Sequence, residues 1–84
     1  MSMTTMEKVC EIILKLKKKS VSREALKPEA LLVDDLMLDS LDFAEMLVMA
    51  EDVFSIEVSL DDAANLTTIG AAVEYFDKRI AERD

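Results

Sequence analysis

Histidine and tryptophan are absent, cysteine, glycine and proline occur once each, and aromatic residues make up only 5% of the 84 residues. One cysteine cannot close an internal disulfide, and without histidine the usual Cys/His zinc sites lack a ligand set, so no metal centre is expected. Cysteine used this sparingly fits a reducing compartment, and the cytoplasm is the expected location. No apolar run approaches the roughly 20 residues of a membrane-spanning helix, and the opening MSMTTMEK lacks the basic-then-apolar order of a secretory signal. A soluble, unprocessed chain is the expectation. With 51% hydrophobic residues and so few turn formers, the composition points to short helices packed through aliphatic side chains and methionine. The length suits one core, so residues 1–84 are read as a single domain.

The chain also lacks basic residues where it would need them to bind a polyanion. From Pro28 to Asp77 there are thirteen acidic residues and no lysine or arginine, and the net charge is −8. Nucleic acid is therefore excluded as a partner. An acidic surface of this kind keeps a small protein soluble, but its confinement to one stretch favours recognition of partners that carry basic patches.

Thr4 and Glu7 have capping-box spacing, and Met6, Val9, Cys10, Ile13 and Leu16 then recur at three- and four-residue steps, which predicts a helix over 4–18. Lys17, Lys18 and Lys19 suit its negative C-terminal end. Residues 20–39 lose the helical period and hold Pro28, so a long loop is expected, ordered by Leu26, Leu31, Leu32 and Leu36 and leading to a site. Asp39 or Ser40 can cap a second helix to about Phe54, whose apolar face is Phe43, Met46, Leu47, Ala50, Val53 and Phe54. Leu41, Ala44 and Val48 fall instead among the acids Asp42, Glu45, Glu51 and Asp52, an apolar stripe with an acidic border. Residues 56–58 read as an extended connector and 61–64 as one helical turn. Thr67 or Thr68 can cap a last helix to about Ala81 through Ile69, Ala72, Val73, Phe76 and Ile80. The fold class is all-α, a small four-helix bundle with three main helices, one short helix and a long first loop.

At the start of the second helix the sequence reads DDLMLDSLDFAE, with Asp39-Ser40-Leu41 at its centre. This stretch, with the helix ending Ala50-Glu51-Asp52-Val53-Phe54 and the tail from Leu66-Thr67-Thr68-Ile69 to Tyr75-Phe76, resembles the acyl carrier protein family over nearly the whole chain. The resemblance implies that a phosphopantetheinyl transferase moves 4'-phosphopantetheine from coenzyme A onto Ser40, flanked by Asp39 and Leu41, and that the arm then carries acyl groups as thioesters. A helix N-terminus suits a phosphodiester, and Ser40 is expected to cap the helix as well. With no histidine to act as a base, the serine must be activated by the transferase and its metal, so the chain is a carried substrate and not an enzyme. Asp39 is read equally as a metal-positioning group for the transferase and as a helix cap.

The same resemblance implies shuttling between loading and synthase enzymes of fatty acid, lipid or polyketide-type synthesis, with the carrier itself a monomer. Leu41, Asp42, Ala44, Glu45, Val48, Glu51 and Asp52 are the expected docking residues. For the acyl chain it implies a cavity between helices, and Met46, Met49, Ala50, Ala71 and Ala72 are the candidates to line it, each also readable as core.

Four positions depart from the family pattern. Met37 and Leu38 stand where glycine and a small residue are usual, Ser59 where proline is common, and Phe43 where a smaller polar residue is frequent. Met37 and Leu38 add bulk beside the serine and are read as contacts for a specialised partner or for the acyl chain. An aminoacyl or peptidyl carrier is a second reading, though it usually lacks so acidic a second helix. An unmodified acidic helical interaction module is a third. A calcium loop of the D-x-[DN]-x-[DN]-G kind is absent, since the one glycine is Gly70.

Overall fold

Among the described residues, each of four helices starts on a side chain suited to receive the free N–H groups of a first turn. The computed structural model describes residues 4–17 and 21–83, so Lys18, Lys19 and Ser20 lie outside the described residues. Helix α1 (Thr5–Lys17) opens on a reciprocal pair, in which Thr4 Oγ1 accepts the Glu7 N–H at 3.1 Å and Glu7 Oε1 accepts the Thr4 N–H at 3.0 Å. These bonds to Thr4 hold the Glu7 carboxyl below its ordinary range. Val9, Cys10 and Ile13 are buried as the period predicts, and Ile12 joins them. Burial pushes the Cys10 thiol up from its ordinary value.

Helix α2 (Ser40–Phe54) is capped by Asp39 and ends at Ser55, which takes the left-handed conformation at φ 55°. Met46, Leu47, Ala50 and Phe54 form its buried face. Val53 departs from the expectation. It is 46% exposed, because the core beneath α2 is filled from Phe54 and leaves the neighbouring flank in solvent. Helix α3 (Leu60–Ala63) begins one residue earlier than the sequence indicates, because Ser59 Oγ accepts the Asp62 N–H at 3.1 Å and sets the start. Helix α4 (Ile69–Arg83) is capped by Thr68, whose Oγ1 accepts the Ala71 N–H at 3.0 Å, and it runs two residues past the expected end.

Helix α1 packs on both α2 and α4. The Phe54 and Phe76 rings lie 5.4 Å apart where α2 meets α4, and the Thr5 hydroxyl donates to Asp77 across α1 and α4. Among the described residues the core is wholly apolar, with no buried polar or charged side chain. Its stability therefore rests on aliphatic and aromatic burial.

The long loop holds one 3-10 turn, Arg23–Ala25, and is pinned at several points. Leu26, Leu32 and Leu36 are buried as expected. Leu31 is not. It is 38% exposed, and its backbone forms an isolated antiparallel bridge with Thr68 while Ala30 takes the buried position. Three backbone bonds tie the loop to the entry of α4: Leu32 N–H to Thr67 O at 2.9 Å, Ile69 N–H to Ala30 O at 3.1 Å and Gly70 N–H to Pro28 O at 2.8 Å. At Gly70 a Cβ would sit 3.0 Å from that Pro28 oxygen, so the close approach of loop and helix depends on the missing side chain. The loop is thereby laid beside the first turn of α4.

Candidate functional site

The Asp39 backbone is extended, and its Oδ1 accepts the Asp42 N–H at 2.8 Å, while the Asp42 carboxylate reaches back towards the Asp39 N–H. This capping box settles the choice between the two candidate caps in favour of Asp39. Ser40 is the first helical residue and does not cap, contrary to the expectation that it would do both. Its side chain is exposed, and among the described residues its hydroxyl makes no hydrogen bond. A hydroxyl spared from capping is available for chemistry. The first-turn N–H groups beside it give the position a partial positive charge.

A cation from another helix reaches this turn. Lys17 Nζ lies 2.9 Å from Asp42 Oδ2 and donates to Met37 O at 3.1 Å. The Lys17 bond, reinforced by the Asp39 N–H, holds the Asp42 carboxyl below its ordinary value. Met37 itself has φ 58°, a left-handed conformation that a residue with a Cβ adopts at a cost. The position where the family pattern has glycine thus keeps a glycine-like backbone while carrying a methionine.

Beside Ser40 opens a groove of about 730 Å³, lined by Leu38, Ser40, Phe43, Leu47, Ala63 and Leu66 among others. None of the five residues expected to line an acyl cavity borders this groove. Met46, Ala50 and Ala72 are fully buried in the core, Met49 is half-buried against it, and Ala71 borders a second, smaller groove with Tyr75 and Lys78. The reason is geometric. The apolar face of α2 is divided, with Met46 and Ala50 turned into the core and Phe43 and Leu47 turned towards α3 and the loop. Only the placement of those two segments makes the second flank a groove.

The expected docking residues also divide. Leu41 and Val48 are 67% and 64% exposed, Ala44, Glu45 and Asp52 are exposed, and Met37 is 73% exposed. Leu38, by contrast, is 2% exposed and faces the groove, so it offers no surface to a partner. Asp42 is engaged by Lys17, and Glu51 Oε2 accepts the Val58 N–H at 2.9 Å. Two of the four acids thus bind within the chain. Lys17, Val33 and Ala63 were not signalled as site residues by the sequence, because only the fold brings them to this end of α2.

The family described as the phosphopantetheine attachment site matches residues 7–76. The acyl carrier protein of Amoebophilus asiaticus is 40% identical over 77 residues, spanning 92% of this chain and 94% of that one. That of Nitratidesulfovibrio vulgaris strain DP4 is 40% identical over 73 residues, 87% of this chain and 93% of its own, and that of Syntrophus aciditrophicus 39% over 77 residues, 92% and 94%. The matched region runs from α1 into α4 and contains the serine whose hydroxyl the capping box leaves free. This chain belongs to the phosphopantetheine-binding acyl carrier protein family.

Proposed function

We propose that Ser40 is the attachment point of 4'-phosphopantetheine and that residues 1–84 act as one monomeric carrier domain moving acyl groups between enzymes. The observation that carries this reading is the exposed, unbonded hydroxyl at the first turn of α2, next to an apolar groove. The group fits there. The first-turn N–H groups favour a phosphodiester, and Asp39 already satisfies Asp42, so no side chain must be displaced.

When bound, the arm supplies a terminal thiol on which acyl groups travel as thioesters. Ser40 supplies the oxygen that bonds to phosphorus. The bond from that phosphorus to the adenosine 3',5'-bisphosphate of coenzyme A breaks, and the serine proton passes to a base on the transferase. Asp39 fixes the turn and would also help the transferase hold its metal. Leu38, Phe43, Leu47 and Leu66 offer apolar walls, and Leu41, Ala44, Val48 and Met37 offer apolar contacts to partners. Glu45 and Asp52 supply the exposed charge that basic partner surfaces would meet, giving brief and salt-sensitive encounters. The carrier contributes no catalytic group, and the enzymes it visits are phosphopantetheinyl transferases and acyl-loading or synthase enzymes. Among the described residues no helix is long and apolar enough to cross a membrane.

The exposed Met37 and the groove-facing Leu38 support a carrier adapted to a particular partner or cargo in fatty acid, lipid or polyketide-type synthesis. Fragment mass mapping after treatment with coenzyme A and a transferase tests the attachment. Added mass on Ser40 is expected, and added mass on Ser22, Ser55 or Ser59 instead would contradict it.

A further inference from the structure

Among the described residues, Lys17 is the basic side chain that reaches the backbone and carboxylate groups flanking Ser40. Its ammonium donates both to Met37 O, three residues before the serine, and to the Asp42 carboxylate, two residues after it. Asp42 in turn shares the capping box with Asp39. One cation on α1 therefore links, through two hydrogen bonds and one helix cap, the residues on both sides of the attachment point. Lys17 and Asp42 are also only 17% and 21% exposed at their side chains, so solvent screens this pair less than it would a pair at the open surface.

The link has a specific task in this chain. Met37 is left-handed at φ 58°, a conformation in which a Cβ is strained and which persists only where the surroundings hold it. The bond to its carbonyl is one such hold. Without it, residues 37–39 can relax towards ordinary backbone angles, and the Asp39 cap and the Ser40 hydroxyl would move with them.

We propose that Lys17 is a positioning residue for loading: it keeps residues 37–42 in the arrangement that a phosphopantetheinyl transferase accepts, and it withdraws Asp42 from the charge offered to partners. This rests on the reading of Ser40 as the attachment point. If the accepted arrangement becomes only part of the population, the apparent affinity for the transferase falls by that fraction while the chemical step is unchanged. The signature is a raised KM at constant kcat.

The test is the steady-state loading of purified protein with coenzyme A and magnesium by one transferase, comparing wild type, Lys17→Met, Lys17→Arg, Met37→Gly and the Lys17→Met/Met37→Gly double variant. Circular dichroism establishes that each is folded at the assay temperature, with Lys17→Gln as substitute should Lys17→Met unfold. Lys17→Met should raise KM by about five- to tenfold, within the coupling expected for groups in one network, with kcat unchanged. Lys17→Arg should restore most of it, and because glycine takes the left-handed angle freely, the Lys17→Met effect should shrink to less than about twofold against Met37→Gly. An unchanged KM in folded Lys17→Met, or the same increase in both backgrounds, would overturn the proposal while leaving Ser40 loading intact. Absence of loading in wild type would instead remove the reading on which it rests.

Discussion

The Asp42 N–H is held at 2.8 Å by the carboxylate of Asp39, and the serine between these two residues consequently keeps its hydroxyl free. Capping and attachment are thereby divided between neighbours. The division gives an order of stabilities that a serine cap would reverse. Asp39→Ala should destabilise the fold by about 1 kcal/mol, whereas Ser40→Ala should stay within about 0.5 kcal/mol of wild type. Urea denaturation of the two variants measures both, and a larger loss for Ser40→Ala would contradict the assignment.

Asp42 should contribute to the acid limb of stability. Its carboxyl titrates below the ordinary value in the folded state, chiefly through the Lys17 hydrogen bond, so the unfolded chain binds more protons in the window between the two values. Its contribution is fully present above the unfolded pKa of about 3.9 and is lost as pH falls through the lower folded value. Urea midpoints followed from neutral pH into that range should fall less steeply for Asp42→Asn than for wild type. Parallel curves would show that the pair does not couple to folding.

The four acids of α2 should not be equal in docking. Glu45 and Asp52 are exposed, whereas Asp42 and Glu51 are held by Lys17 and by the Val58 N–H. Reversing charge at Glu45 and Asp52 should slow transfer to a basic partner enzyme by about tenfold at low salt and flatten its salt dependence. Asp42→Asn with Glu51→Gln should change the salt dependence less. Stopped-flow transfer rates at several ionic strengths make the comparison, and equal effects of the two pairs would contradict the division.

The groove should shelter an acyl chain on the α3 side of α2. Each methylene taken out of water contributes up to ~0.8 kcal/mol, so an octanoyl-loaded carrier should melt above the unacylated holo form. Ala64→Phe adds bulk to the groove at an exposed position and should reduce that increment, while Met49→Leu, away from the groove lining, should leave it. Thermal melts of the loaded and unloaded variants decide, and an increment lost only in Met49→Leu would return the cavity to the residues first inferred from sequence.

The helices were legible because their signals are local. Thr4 with Glu7, Asp39 with Asp42 and Thr68 at the entry of α4 lie within three residues of the N–H groups they satisfy, and apolar residues at helical spacing identify the buried faces. Ser40 and its flanking residues were singled out by a different signal, the likeness of Asp39-Ser40-Leu41 and its surroundings to the carrier family. The groove was not, since Phe43 and Leu47 become its wall only when Ala63 and Leu66 are laid opposite them. Leu31 and Ala30 exchanged roles because the loop pairs with residues 67–70, far along the chain. Lys17 read as one of three lysines suited to a helix end, and nothing within one turn of it identifies Asp42 or Met37 as its partners. Sequence alone did register the loss of glycine at position 37, but not that the left-handed backbone would be retained.

Intact mass after incubation with coenzyme A, magnesium and a promiscuous phosphopantetheinyl transferase tests the central claim most directly, with Ser40→Ala as the control and circular dichroism to establish that both proteins are folded. The account predicts one added arm on the wild type and none on the variant. An arm on folded Ser40→Ala, or no mass change in the folded wild type, would contradict it.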